Sequence, residues 1–161
     1  MSLRLLLDTN ILIDLFDSRA PFAADALKLR IANEFGDVEL WASAKSFTDI
    51  FYVMVRAGAT SEAVQDVFSE SLSFLHVCSV DEDDIALAAA QRWDDFEDCI
   101  VALCAEKVHA QFIITRDKAG FERSKLPALP PQAFFDYLEE EYEIVYDEVE
   151  LPIDDEDERD D

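Results

Sequence analysis

Two strand-length apolar runs in this chain each end beside an aspartate: Leu3 to Leu7 runs into Asp8, and Gln111 to Thr115 stops just before Asp117. Two further acids, Asp49 in SFTDIFYVM and Asp98 in DDFEDCIVALC, also abut core-forming segments. This placement constrains the fold, because a carboxylate pressed against a core without a partner costs several kcal/mol. A fold that gathers the four acids at one edge would give them a common partner.

The two runs are too short for independent helices and read as strands. Glu39 to Ala42 and Leu75 to Val80 read as two more. Helical patterns lie between them, at about Phe22 to Glu34, Ala44 to Val55, Ser61 to Phe74, Glu82 to Arg92 and Phe96 to Val108. Thr60 or Ser61, Asp81 and Asp95 stand where N-caps belong, and Pro130 and Pro131 open a short last helix, Gln132 to Leu138. Alternating strand and helix predicts the α/β class, a three-layer α/β/α sandwich with a central parallel sheet. Ligands of such sheets collect beyond the carboxyl ends of the strands. Asp8 and Asp117 occupy that edge, and Asp49 and Asp98 fall in the first turn or two of helices that start near it.

A chain of 161 residues is the size of one domain and buries roughly 70% of its unfolded surface. Residues 1–138 read as that domain and residues 139–161 as an acidic C-terminal tail. No apolar run approaches the roughly 18 residues of a membrane span, and an acid at position 8 interrupts any signal-peptide core. A cytoplasmic location is expected. Cys78, Cys99 and Cys104 match no zinc or redox spacing and are expected as buried thiols; His76 and His109 are isolated and read as structural.

The net charge of −24 is uneven. From Asp136 to Asp161 there are 15 acids and one base, which leaves 22 acids and 12 bases for the body. An acidic body argues against broad affinity for DNA, since nonspecific binding rests on Lys and Arg neutralising phosphates. Yet Arg116, Lys118, Arg123 and Lys125 fall within ten residues around Asp117, a candidate basic patch.

Two carboxylates about 5 Å apart repel by roughly 3 kcal/mol at an effective dielectric near 20. Four in one pocket call for a divalent cation, and carboxylate oxygens suit Mg²⁺ or Mn²⁺. Such an ion lowers the pKa of a bound water and neutralises charge developing on a phosphate.

The stretches LLLDTNILID, SAKSFTDI, DFEDC and TRDKAGF resemble, in order and spacing, the PIN-domain nucleases. Within that family they are similar to the VapC-like subgroup that reads S-x-x-S-x-T-[ND]-I, DFEDA and TRN-x-x-DF. The resemblance covers about Leu3 to Leu138. It implies a metal-dependent (Mg²⁺ or Mn²⁺) endoribonuclease that hydrolyses phosphodiester bonds of single-stranded RNA, often the toxin of a toxin-antitoxin pair. It also implies an antitoxin partner and a homo-oligomer. The family's acids fall on Asp8, Asp49, Asp98 and Asp117. Asp8, Asp98 and Asp117 would be metal ligands and Asp49 would position the attacking water. Asn10, Arg116 and Lys118 would meet the substrate. Asp95 is expected as a cap and Glu97 as a surface acid.

The chain departs from the subgroup in two places. Asp49 stands where many relatives carry Glu, and the last motif has Asp117 followed by Gly120 where the subgroup has Asn and then Asp. The second departure motivates an alternative, a catalytically weakened PIN-fold binding or regulatory module acting through protein contacts. A phosphatase of the haloacid-dehalogenase type is disfavoured, because it needs an Asp where Asn10 stands. Residues Asp154 to Asp161 include seven acids, whereas Tyr142, Ile144, Tyr146, Val149 and Leu151 before them are apolar. The expectation is an extended arm, Tyr142 to Leu151, docked on the body or on a partner chain, with the acids beyond it solvated or competing with nucleic acid for the basic patch.

Overall fold

The computed structural model describes residues 2–17 and 21–147. Five strands, β1 (Leu3–Leu7), β2 (Val38–Ser43), β3 (Leu75–Cys78), β4 (Phe112–Ile114) and β5 (Ala128–Leu129), form one sheet in the order β3-β2-β1-β4-β5. Every pairing is parallel. Among the described residues seven helices cover the sheet: α1 (Thr9–Phe16), α2 (Ala23–Glu34), α3 (Ala44–Arg56), α4 (Ser61–Ser71), α5 (Glu82–Gln91), α6 (Phe96–Lys107) and α7 (Pro131–Tyr142). This is the expected three-layer α/β/α sandwich.

Alternation along β1 builds two cores. Leu3, Leu5 and Leu7 join Ile11 and Leu12 of α1, Leu29 of α2, Ile50 of α3 and Phe134 and Leu138 of α7. Leu6 faces the other layer with Ile113 of β4 and the stretch Cys99 to Ala105 of α6, every residue of which is buried. A central strand packed on both faces reads as a near-continuous apolar run, which LRLLL breaks only at Arg4. The three cysteines are free and buried, as expected.

Helix starts follow their caps. The Thr60 hydroxyl accepts from Ala63 N (3.1 Å), Asp81 forms a reciprocal capping box with Asp84, and Asp95 Oδ1 accepts from Asp98 N (3.0 Å). Pro131 is the first residue of α7, which runs on to Tyr142. Three short elements went unread in the sequence. Helix α1 follows β1 directly, because Asp8 stops the strand and its Oδ1 accepts from Thr9 N. A 3-10 turn spans Lys118–Phe121, and β5 has two residues.

The chain after α7 packs back on the body as far as it is described. Tyr142, Ile144 and Tyr146 lie against the α2/α7 core, and the Tyr146 ring meets Phe35 and Phe135 at 6.3 and 5.6 Å between centroids. Its hydroxyl donates to the Asp37 carboxylate. Val149, Leu151 and the terminal acids lie outside the described residues. Among those described, no helix is long and apolar enough to cross a membrane.

Candidate active site

Strand order reverses at β1, which has β2 on one side and β4 on the other, and the crevice beyond that reversal is where open α/β sheets bind ligands. Asp8 caps the carboxyl end of β1 there, 5% exposed, its N–H continuing the ladder to Ile114 O at 2.9 Å. Each of its oxygens has one neutral donor: Thr9 N to Oδ1 (2.8 Å) and the Thr115 hydroxyl to Oδ2 (2.8 Å). Thr115, fully buried at the end of β4, also accepts from Asp117 N at 3.0 Å. One hydroxyl thus sets both Asp8 and the backbone of Asp117.

Asp117 begins the 3-10 turn, and its Oδ1 accepts from Gly120 N at 3.3 Å. Its other oxygen and a carboxylate oxygen of Asp98, from the first turn of α6, both border the space where a Cβ of Gly120 would stand. Burial, then the charges of Asp95, Asp8, Asp117 and Glu97, push the Asp98 carboxyl up to about 7. Burial likewise raises Asp8 against the lowering pull of its two donors, with Glu97 and Asp117 adding to the rise. Among the described residues neither Asp8, Asp98 nor Asp117 forms an ion pair with Lys or Arg. Three of the four expected acids therefore converge without a counter-charge.

Asp49 does not join them. Its carboxylate is held 2.6 Å from Lys45 Nζ, one turn earlier on α3. The α3 residue that reaches the crevice is buried Ser46, 2.9 Å from the Thr9 hydroxyl. That hydroxyl donates to Glu97 Oε1 at 2.7 Å, so Glu97, read as a surface acid, instead bears on both Asp8 and Asp98. The adjacency of Glu97 to Asp98 in DFEDC was the available signal, since both lie in one first turn.

The basic residues are mostly occupied. Arg116 turns away from the acids onto Asp14 of α1, with Nε 2.9 Å from Oδ2 and Nη2 donating to Oδ1 at 3.2 Å, and stacks over Phe22 at 4.2 Å. Arg123 donates to the carbonyls of Gln91 and Arg92. Lys125 lies 3.7 Å from Glu106, whereas Lys118 makes no ion pair among the described residues. Lys118 and Lys125 line an open groove of about 700 Å³ that begins at the 3-10 turn. Asn10 lies between the two strand ends, 3.4 Å from both Thr115 Oγ1 and Arg116 N.

Among the described residues no three Asp, Glu, His or Cys side chains form a group that could hold a metal as it stands. The edge offers instead a pair of carboxylates, Asp98 and Asp117, that border the same space beside Gly120, with Asp8 buried near enough for its charge to act on Asp98. Such a pair fits a hard divalent cation that keeps much of its water and binds through one or two carboxylates.

The fold matches a known class. A family model described as PIN domain matches residues 4–119, and the chain belongs to that family. Solved structures share the fold at low identity. The VapBC2 complex of Rickettsia felis bound to a promoter DNA fragment is 15% identical, with 80% of this chain and 98% of that one aligned and a TM-score of 0.58. VapC20 of Mycobacterium tuberculosis, described as a sarcin-ricin loop cleaving toxin, is 16% identical over 68% and 86%, with a TM-score of 0.57. A toxin-antitoxin complex from Klebsiella pneumoniae is 22% identical over 78% and 96%, with a TM-score of 0.55. No curated protein matches significantly.

Proposed function

We propose that this chain is a metal-dependent endoribonuclease that hydrolyses phosphodiester bonds of single-stranded RNA and serves as the toxin of a toxin-antitoxin pair. One observation carries the reading: Asp8, Asp98 and Asp117 are brought together at the switch point of the sheet, and among the described residues no Lys or Arg forms an ion pair with them. Membership of the PIN family and the toxin-antitoxin neighbours support it.

Asp98, Asp117 and Asp8 would hold Mg²⁺ or Mn²⁺, which when bound supplies charge neutralisation at the phosphate and a water of lowered pKa. The Thr115 hydroxyl fixes Asp8, and Asp117 N–H bonds the same oxygen, so the two carboxylates keep one spacing. Asp98 must shed the proton that burial and its acidic neighbours favour before it can ligate. Asp49 is tied to Lys45, so Glu97, held by Thr9, is the better placed acid to orient an attacking water. Lys118 and Lys125 on the groove would carry the RNA backbone, whereas Arg116 serves Asp14. Protein partners, an antitoxin and a second copy, belong to the same proposal.

The test is cleavage of short single-stranded RNA and DNA with Mn²⁺, with chelator, and with Asp98→Asn. Metal-dependent cutting of RNA that the variant lacks is expected. Cutting by Asp98→Asn at the wild-type rate would overturn the site. A second reading, a PIN-fold binding module acting through protein contacts, is favoured by the absence of a ready three-ligand cage among the described residues. Weak Mn²⁺ binding together with no cleavage of any oligonucleotide would select it.

A further inference from the structure

The chain has three glycines, and two have an evident conformational reason. Gly36 and Gly58 sit at φ +82° and +109°, where side chains are strained, with open space around them. Gly120 is different: its backbone does not lie in that region, so any L-residue fits its dihedrals. A Cβ there would instead stand 2.4 Å from Asp98 Oδ2 and 3.0 Å from Asp117 Oδ2. The first distance is inside van der Waals contact, so one of the groups would have to move.

We propose that Gly120 is a positioning residue, whose missing side chain lets the carboxylates of Asp98 and Asp117 share the space beside the 3-10 turn. This deepens the reading above and rests on it for its chemistry. The oxygen of Asp98 occupies space that a side chain at 120 would take and the oxygen of Asp117 borders it, so the second carboxylate of the pair is delivered from three residues earlier in the chain. The turn makes this delivery specific. Asp117 Oδ1 accepts the N–H of Gly120 itself, and Asp117 N–H is anchored on Thr115, so the carboxylate is held at both ends of its residue. Asp98 is held less firmly, since its own N–H is fixed to Asp95 but no hydrogen bond to its carboxylate is seen among the described residues. A methyl group at 120 therefore displaces Asp98 rather than the backbone, and the pair opens while the fold stays.

The experiment compares the full chain with Gly120→Ala by calorimetric titration of Mn²⁺, and follows melting of the metal-free proteins in a cycle with Asp98→Ala. Gly120→Ala should bind Mn²⁺ at least about tenfold more weakly than wild type. In the cycle, adding the methyl should shift the melting temperature upward by at least about 2 °C more when Asp98 is Ala than when it is Asp, because the contact partner is gone. Wild-type Mn²⁺ affinity in Gly120→Ala would overturn the proposal. If wild type itself binds no Mn²⁺, the metal reading falls separately. The cycle then decides: coupling between positions 98 and 120 upholds the steric role, and equal shifts remove it.

Discussion

Asp8 and Asp14 lie six residues apart and are about equally hidden, 5% and 3% exposed, and burial raises the carboxyl pKa of both. Their company differs. Asp14 receives the guanidinium of Arg116, which pulls its pKa back down, and Asp84 likewise receives Lys107. Asp8 receives two neutral donors, and its charged neighbours, Glu97 and Asp117, are of its own sign. An acidic chain short of bases still supplies a cation to Asp14, so the deficit around Asp8, Asp98 and Asp117 is local. That contrast separates a structural carboxylate from a site.

The largest effect that tests the contrast is on cleavage. Asp8→Asn and Asp98→Asn should each lower metal-dependent cleavage at least a thousandfold, about 4 kcal/mol of barrier, because the amide keeps the shape and loses the charge. Asp98→Asn should not melt below metal-free wild type, since it removes one repelling charge and no hydrogen bond accepted among the described residues. Asp14→Asn should behave in the opposite way, and a thousandfold loss there with unchanged melting would erase the distinction.

Metal should then stabilise only the unpaired group. At a hundredfold excess over Kd, a ligand of the folded state adds about 2.7 kcal/mol, roughly 5–10 °C for a chain of this size. Mn²⁺ should raise the melting temperature of wild type and Asp14→Asn by that order and leave Asp98→Asn nearly unmoved. The same midpoint for wild type with Mn²⁺ and with chelator would count against the site. Asp14→Asn itself should cost about 2 kcal/mol in denaturant melts, the usual loss for a hydrogen bond to a charged group.

The sheet and most helices could be read from the sequence, because apolar runs of strand length, cap residues and the prolines before α7 are local signals. Helix α1 was hidden by its shortness and its continuity with β1: its eight residues follow the strand with no loop, and Asp8 serves both as the end of the strand and as the cap of the helix. Convergence of Asp8, Asp98 and Asp117 followed from topology. What the sequence could not show was which partner each polar side chain would choose. Asp49 took Lys45, four residues back on the same helix face. Arg116 took Asp14, 102 residues away, and Thr9 took Glu97, 88 residues away. Such choices depend on where helices land on the sheet, and no local pattern encodes them.

A smaller effect comes from pH. In the folded, metal-free chain the Asp98 carboxyl titrates near 7, against about 3.9 for an unfolded Asp. Between those values the folded state holds the extra proton, so the contribution of Asp98 to stability is highest below about pH 4, falls as pH rises to 7 and is level above. From pH 5 to pH 8 wild type should therefore lose stability relative to Asp98→Asn, by about 1 kcal/mol once screening of a half-exposed group is allowed for. Parallel melting curves for the two proteins across that range would show that the neighbouring acids do not act on Asp98. The affinity for Mn²⁺ should rise over the same window, because the ion competes with that proton.

The smallest effect sharpens the contrast from the other end of the sheet. Asp37 stands just before β2, at the amino edge, and takes the Tyr146 hydroxyl, whose pKa is raised by burial and by that same carboxylate. Here an acid serves to hold the chain that leads into the acidic tail, with Phe35 and Phe135 packing the ring. This anchor roots the tail opposite the carboxyl edge. With Arg116 and Arg123 already committed, it leaves Lys118 and Lys125 as the bases of the patch that a tail could contest. Tyr146→Phe keeps the ring packing and removes one hydrogen bond, so it should cost about 1 kcal/mol in denaturant melts and leave cleavage per folded molecule unchanged. A drop in cleavage without a drop in stability would mean that the two edges are coupled, and the division between a structural acid here and a working acid at Asp8 would have to be redrawn.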